Sequence, residues 1–502
     1  MNGMSCCRRR LIHSSRQEAA CPEKDVKVTG PSGSCREVVR QRVGDLGEVG
    51  PVRKPDNKEE IAMRKSIIAF GAALALGGAV SSASAEEIVI ATVNNGDMII
   101  MQKLSKEFED QTGIKLRWVV LEENTLRERL AADIATKAGQ YDVISVNSYQ
   151  TQLWAKMGWL TKLDDFSASY DYDDFIPATR QSLSVDGVMY GAPFYGESLI
   201  TFYRKDLFEK AGITMPEKPT LDDLAGFAEK ITDRENGING ICLRGKPGWG
   251  ENTPLITTFV SALGGEWFDM EWKPRLTSEP WRQAMDWYLD VMKKAGPVGA
   301  ATNGYNENRV LFSSGKCGMW IDATVTAGYL LDPKESQVSD TTGFAPFPVT
   351  DKNPQAAGWS GAWALAIPAS VTDNAAAAKK FIEWATSKEY ARLVGEREGW
   401  LLAPSGTRKS TYALPEYQNV AEPFADKVLA AISAVNPTKP TVNEVPYTGA
   451  GFIDIAEFQA LGTTIGQNIA AALSGSKTAD EALQESQAYA ERTMERAGYY
   501  KK

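Results

Sequence analysis

Histidine is almost missing from this chain: among 502 residues there is one, His13, and it precedes every segment that carries a folding pattern. A Ser-His-Asp triad, a Cys-His pair or a histidine-ligated metal therefore cannot be assembled in the patterned region. Cysteine is scarce there too. Four of the six lie before residue 63, leaving Cys242 and Cys317, with no C-x-x-C pair for zinc or dithiol chemistry. A cationic surplus is lacking as well, since 55 Lys+Arg face 64 Asp+Glu for a net charge of −9, which gives no basic footprint for nucleic acid. No apolar run reaches the ~20 residues that span a bilayer, and no repeat of solenoid period occurs. What remains is an ordinary globular composition, 43% hydrophobic and 24% charged, long enough for two or three cores at roughly 100–200 residues each. Disorder and fibrous architectures are excluded.

The first strong local signal is Met63-Arg64-Lys65, followed by a 14-residue apolar run over 67–80 and the small residues Ser81-Ser82-Ala83-Ser84-Ala85. A basic start, a short apolar stretch and an Ala-x-Ala exit describe a secretory signal peptide over 63–85. The 62 residues before it read as an untranslated or disordered extension. The exported chain is then expected to start at Glu86 and to carry 41 Lys+Arg against 55 Asp+Glu, a charge of −14 that favours solubility. In an oxidising compartment Cys242 and Cys317 have two fates, one disulfide or two separately buried thiols, and spacing does not decide between them.

From residue 86 the pattern alternates strand and helix. An apolar β-branched run at 88–93 precedes a helix with Met98, Met101, Leu104 and Phe108 on one side, stopped by Gly113. Strand 115–120, a helix marked by Leu126, Leu130 and Ile134, and strand 142–146 follow, which predicts a parallel sheet. Beyond Gly191-Ala192-Pro193 the register changes, with strands at 199–203, 317–322 and 363–367 and helices at 221–231, 281–294, 375–395, 463–473 and 479–492. Pro346, Pro348 and Pro354 mark a return crossing.

Several segments resemble the extracellular solute-binding proteins that deliver sugars to ABC importers. They are Gly191-Ala192-Pro193-Phe194-Tyr195-Gly196-Glu197 running into Phe202-Tyr203-Arg204-Lys205-Asp206-Leu207, then Pro219-Thr220-Leu221-Asp222-Asp223-Leu224, the turn and strand Gly315-Lys316-Cys317-Gly318-Met319-Trp320-Ile321, and Ala362-Trp363-Ala364-Leu365-Ala366-Ile367-Pro368. Through Arg244-Gly245-Lys246-Pro247-Gly248-Trp249-Gly250-Glu251-Asn252, Trp320-Ile321-Asp322 and Glu457-Phe458-Gln459 the chain is most similar to the sorbitol/mannitol-binding branch. The resemblance implies a two-lobe α/β fold, each lobe a sheet flanked by helices, with the ligand in a cleft at the hinge. The first lobe is placed at 86–197 and 355–405, the second at 198–354 and 406–502. It also implies a periplasmic monomer that hands its ligand to an inner-membrane ABC permease and needs no cofactor.

A polyol offers hydroxyls that each donate and accept, so charged planar groups are strong partners in a dry cleft, and its C–H surface fits aromatic walls. On that logic the expected ligand-binding residues are Asn94, Tyr149, Glu197, Arg244, Trp249, Glu251, Asn306, Trp320, Asp322, Trp359, Trp363 and Glu457. Each has a plainer competing role: core packing for the tryptophans and Tyr149, helix capping for Asn94, Asn306 and Glu457, ion pairing for the other charged residues. Other classes remain to be weighed. The ligand is alternatively another mono- or oligosaccharide, or the chain is a carbohydrate-active enzyme using Glu197 and Asp322 as paired carboxylates, chemistry that needs no histidine. A metal receptor is disfavoured because no ligand cluster has suitable spacing.

Overall fold

The computed structural model describes residues 86–500; the extension read at 1–62 and the signal peptide read at 63–85 lie outside the described residues. The strands are β1 (Glu87–Val93), β2 (Lys115–Leu121), β3 (Val143–Asn147), β4 (Ser184–Val185), β5 (Val188–Met189), β6 (Ala192–Glu197), β7 (Leu199–Arg204), β8 (Asn239–Cys242), β9 (Cys317–Ala323), β10 (Thr342–Pro346) and β11 (Gly361–Ala366). They form two main sheets, ordered β2-β1-β3-β11-β6 and β10-β7-β9-β8, and a small β4-β5 hairpin. β1 runs parallel to β2 and β3, whereas β11 is antiparallel to both β3 and β6. Helices cover both faces of the parallel part, so β3 is buried at every residue and reads as an apolar run without alternation.

β6 was not visible as a strand because Pro193 interrupts its pattern. It occupies the sheet edge, where the missing N–H is tolerated, and the pairing with β11 slips by one residue between Trp363 and Ala364. Ser198 alone separates β6 from β7, so the chain passes from one sheet to the other in a single residue. It returns between Pro346 on β10 and Gly361 on β11. A third passage lies beside the first: the N–H of Gly196 donates to Ser405 O (2.9 Å), and a Cβ on Gly196 would sit 2.3 Å from Gly406 O.

Two expected helices are broken. The first runs over Gly96–Leu104 and restarts at Lys106–Thr112, and the segment 375–395 divides into Ala375–Ala385 and Lys388–Arg397, where Ser387 accepts from Tyr390 N (3.0 Å) to cap the second piece. Three further helices, Asn252–Ala262, Tyr305–Ser313 and Ala425–Ala434, lay hidden in segments without clear periodicity. The last packs on the second sheet, where Ile200, Phe202, Trp320, Phe344, Tyr417 and Val428 form one apolar cluster. Each such side chain contributes about 1.5–3 kcal/mol on burial. Cys242 and Cys317 belong to this cluster and are joined in a disulfide.

Candidate functional site

The carboxyl ends of β1 and β3 open toward the second sheet, the place where open α/β sheets hold ligands. Short capped turns fix that edge. Asn95 caps Gly96–Leu104 by accepting from Met98 N (3.0 Å), which leaves its neighbour Asn94 exposed at the rim. Asn147 caps Ser148–Lys156 in a capping box with Gln150, and Glu122 caps Glu123–Thr136, whose first two turns present Glu123 and Arg127. Facing them are Arg244 and Lys246 after β8, Glu251 ahead of Asn252–Ala262, and Tyr305 and Asn306 at the start of Tyr305–Ser313. Between the two sets lies a cavity of about 70 Å³, several times the 10–15 Å³ that one water needs on the same measure.

Charged groups in the cleft are held in a fixed network. Arg244 donates to Asp322 through Nε (2.9 Å) and Nη2 (2.6 Å) in a bidentate pair, and through Nη1 to Gly250 O (3.2 Å). Asp322 also accepts from Trp320 Nε1 (3.1 Å) and Ala323 N (2.7 Å), so its carboxylate is fully occupied. The Arg244 guanidinium lies 5.1 Å from the Trp359 ring and 5.3 Å from that of Tyr305. Opposite, Arg127 donates to Glu123 by Nε (3.0 Å) and Nη2 (2.5 Å) and stacks 3.9 Å from the Trp249 ring. Lys246 pairs with Glu122 across the cleft and stands 3.4 Å from Glu251.

Against this network a few polar atoms stand free. Arg127 Nη1, Asn147 Nδ2 and Trp359 Nε1 are buried with no partner among the described residues. Glu197 reaches the cavity past Gly361, where a Cβ would lie 2.8 Å from its Cγ. Burial pushes its carboxyl up to about 8, with Asp322, Glu123 and Asp97 adding to the rise and Arg244 opposing it. Glu251 is pushed up to about 7 by burial and by Glu123. For Arg244, burial works against the charge, but Asp322 and the nearby glutamates outweigh it and hold the guanidinium protonated.

Of the twelve expected residues, Asn94, Glu197, Arg244, Glu251, Asn306, Trp359 and Trp363 line this cavity. The other five do not. Tyr149 is buried and donates its hydroxyl to Ile455 O (2.8 Å). Trp249 packs edge-on against Tyr149 and beneath Arg127, so it supports the wall from behind. Trp320 is a core residue of the second sheet, packed on Phe202. Asp322 is fully buried behind Arg244 and acts on the cavity through it. Glu457 accepts from Tyr499 OH (2.9 Å), far down its own helix pair. Asn306 is not a cap; its Nδ2 donates to Asn94 O (3.2 Å) across the cleft. Glu123, Arg127, Asn147, Tyr195 and Lys246 went unselected. The i,i+4 spacing of Glu123 and Arg127 was readable, but it is equally that of a solvent-exposed helix pair.

A cleft between two α/β sheets joined by three passages, lined by orphaned donors and walled by tryptophan, invites comparison with known proteins. A "Mannitol-binding protein" of Pseudomonas aeruginosa is 48% identical over 442 residues, 88% of this chain and all of the relative. The crystal structure of an ABC transporter solute-binding protein from Agrobacterium vitis S4 with bound D-mannitol superposes with a TM-score of 0.81 at 50% identity, covering 83% of this chain and 100% of that one. One from Agrobacterium radiobacter K84 in complex with ribitol gives 0.72 at 25% identity, covering 81% and 98%. These relatives are binding proteins of transport systems. Residues 94–392 match the family described as bacterial extracellular solute-binding protein, and the chain belongs to that family.

Proposed function

We propose that this protein is the periplasmic receptor of an ABC importer for an acyclic polyol of the hexitol class, which it captures by closing two lobes on the ligand. One observation carries the reading: three buried donors, Arg127 Nη1, Asn147 Nδ2 and Trp359 Nε1, and the free acceptor Glu197 converge on one small cavity. A buried donor without a partner costs about 1–3 kcal/mol, a cost that ligand hydroxyls remove. The cavity volume corresponds to on the order of five waters, a small site that argues against a disaccharide. The names of the 48% and 50% identical relatives point the same way.

The lobes divide at 86–197 plus 355–405 and at 198–354 plus 406–502, with Ser198 as the narrowest hinge. Contacts across the cleft belong to the closed form: Asn306 to Asn94, Asn124 Nδ2 to Pro247 O (3.3 Å) and Lys246 to Glu122. Ligand held by both walls stabilises this form by its differential affinity, and an inner-membrane permease reads the closed monomer. A catalytic pairing of Glu197 with Asp322 is disfavoured, because Asp322 is fully engaged by Arg244, Trp320 and Ala323.

A thermal-shift series with D-mannitol, D-sorbitol, ribitol and maltose tests the reading, since stabilisation grows with ligand concentration over Kd. Hexitols are expected to raise Tm at micromolar concentration. Stabilisation by maltose with none by any polyol refutes the polyol assignment, and turnover of a nitrophenyl glycoside refutes the receptor class.

A further inference from the structure

The cleft has more acid than its cations can pair. Three cations, Arg127, Arg244 and Lys246, are matched one to one by Glu123, Asp322 and Glu122. Glu251 shares two of those cations, at 3.5 Å from Arg244 and 3.4 Å from Lys246, and accepts from Tyr305 N at 3.4 Å. Glu197 has no hydrogen bond or ion pair among the described residues, yet its side chain reaches the cavity. The groups facing it are Arg244 after β8, Asp322 on β9, Glu123 on the helix Glu123–Thr136 and Asp97 on Gly96–Leu104, with Tyr195 beside it on β6. Arg244 is spent on Asp322, and Arg127 and Lys246, which line the same cavity, are paired with Glu123 and Glu122, so no unpaired cation is left for Glu197.

We infer that Glu197 is a charge-selecting residue: the cleft accepts, besides neutral polyols, amino-alditols carrying a terminal ammonium, and rejects aldonic acids of the same length. This rests on the polyol reading above. A hydroxyl, an ammonium and a carboxylate at one end of a six-carbon chain differ little in size, so a cavity cut for the first admits the others sterically. Charge then decides. An ammonium next to Glu197 gains a charge-assisted hydrogen bond with an acceptor that has no competing donor, whereas a carboxylate meets the ionised Glu197 as a like charge.

Protonation sharpens the selection. Burial places the Glu197 carboxyl near 8, so at neutral pH it is largely protonated and serves a neutral polyol as donor and acceptor. Binding of an amino-alditol transfers that proton to solvent, leaving carboxylate against ammonium, so about one proton is released per ligand bound below pH 8. The ligand ammonium stays charged below about 9, as alkylamines do, and the carboxyl of an aldonic acid is ionised above about 4. Between pH 6 and 8.5 the titrating partners are therefore Glu197 and, with the same sign, Glu251 and Asp97.

Isothermal calorimetry with D-mannitol, 1-amino-1-deoxy-D-mannitol and D-mannonate at pH 6 and pH 8.5, in two buffers of different ionisation heat, tests this. The amine is expected to bind at least as tightly as mannitol at pH 8.5 and to tighten from pH 6 to 8.5. At pH 8.5, where Glu197 is ionised, the acid is expected to bind roughly 10- to 100-fold more weakly than mannitol, the range of one charge-assisted hydrogen bond. Glu197→Gln removes most of the amine-to-acid ratio and the buffer-dependent proton release, while Glu251→Gln leaves the larger part of both. Binding of mannonate within threefold of mannitol at pH 8.5 overturns the inference, as does an amine-to-acid ratio unchanged in Glu197→Gln. If that variant does not fold, the pH dependence of the ratio in the parent decides alone, and a flat ratio overturns it. Failure of all three probes to bind refutes the polyol reading itself, whereas mannitol binding with no discrimination by charge refutes only the role of Glu197.

Discussion

Replacing Asp322 by asparagine separates what a residue touches from what it does. Asp322 is fully buried and does not line the cavity, yet it fixes Arg244 by two bonds of 2.9 and 2.6 Å and accepts two more from Trp320 and Ala323. Asparagine keeps the shape but loses the charge and one acceptor. Arg244 is then left with Glu251 at 3.5 Å as its remaining carboxylate, and the two bonds that hold it 5.1 Å from the Trp359 ring are weakened. Breaking one side of a buried pair costs about 3–5 kcal/mol, so Tm falls in the absence of ligand. Polyol affinity is expected to fall by about 2–4 kcal/mol, roughly 30- to 1,000-fold in Kd, although no ligand contact has been removed. The decisive assay is a double-mutant cycle with Arg244→Met, reading both urea unfolding and calorimetric Kd. Because Asp322 acts through Arg244, its substitution in the Arg244→Met background should change Kd by less than about threefold. The double variant should also be more stable than Arg244→Met alone, since no buried carboxylate is left unpaired. Losses of affinity that add across the cycle refute the reasoning and place Asp322 in contact with ligand.

Trp359→Phe retains the wall but deletes the free Nε1 donor, so Kd is expected to weaken by about 1 kcal/mol, roughly fivefold, with Tm unchanged in the absence of ligand; a drop in Tm without a change in Kd assigns the indole to packing alone. The Cys242–Cys317 disulfide closes a separation of 75 residues, for which chain entropy gives roughly 4 kcal/mol, so reduction should lower the urea midpoint and leave two alkylatable thiols; an unchanged midpoint refutes this. Asp97 and Glu197 have carboxyls pushed up by burial to about 7 and about 8, so the native state holds protons that the unfolded chain releases above about 4. The stability of the ligand-free protein should therefore fall as pH rises from 5 to 8.5, and Asp97→Asn combined with Glu197→Gln should reduce the slope, with Glu251, also pushed up to about 7, supplying the remainder; stability rising over that window in the parent contradicts both shifts. N-terminal sequencing of exported protein is expected to begin at Glu86.

How much of this was legible in the sequence depends on whether one residue's environment is set by its own segment. β1 and β3 were readable because strands buried on both faces are runs of apolar β-branched residues, and the polar residue that ends such a run, Asn94 or Asn147, must sit at the sheet's edge. β9 defeated the same logic. All seven of its residues are buried, so no alternation tells which side chains face the cleft, and Trp320 and Asp322 looked as suited to ligand as Trp359 and Trp363. Their sequestration comes from partners remote in the chain, Arg244 for Asp322, 78 residues away, and Phe202 for Trp320, on a different strand. Arg127 was missed for the converse reason. Its helix has exposed residues on its outer face, and an arginine four positions after a glutamate is ordinary there. Only the approach of Trp249 from the other lobe makes it a buried, half-satisfied cation.

That distinction between satisfied and half-satisfied groups also explains why the network is so large for so small a ligand. A flexible acyclic chain loses torsional freedom when bound, and strong directional bonds must offset that loss. Strong bonds require charged partners, and charged partners in a dry cavity must not collapse onto one another or onto water. Asp322 holds Arg244 from outside the cavity, whereas Glu123 holds Arg127 and Glu122 holds Lys246 along the cavity wall. What Arg127 then offers inward is a fixed direction with a residual donor, Nη1. Two of the three cations also span the cleft, Lys246 by its pair with Glu122 and Arg127 by its stacking on Trp249. Part of what fixes them therefore comes from across the cleft. On the proposed closure, affinity and closure share these residues, so a ligand that satisfies the free donors is expected to stabilise the closed form.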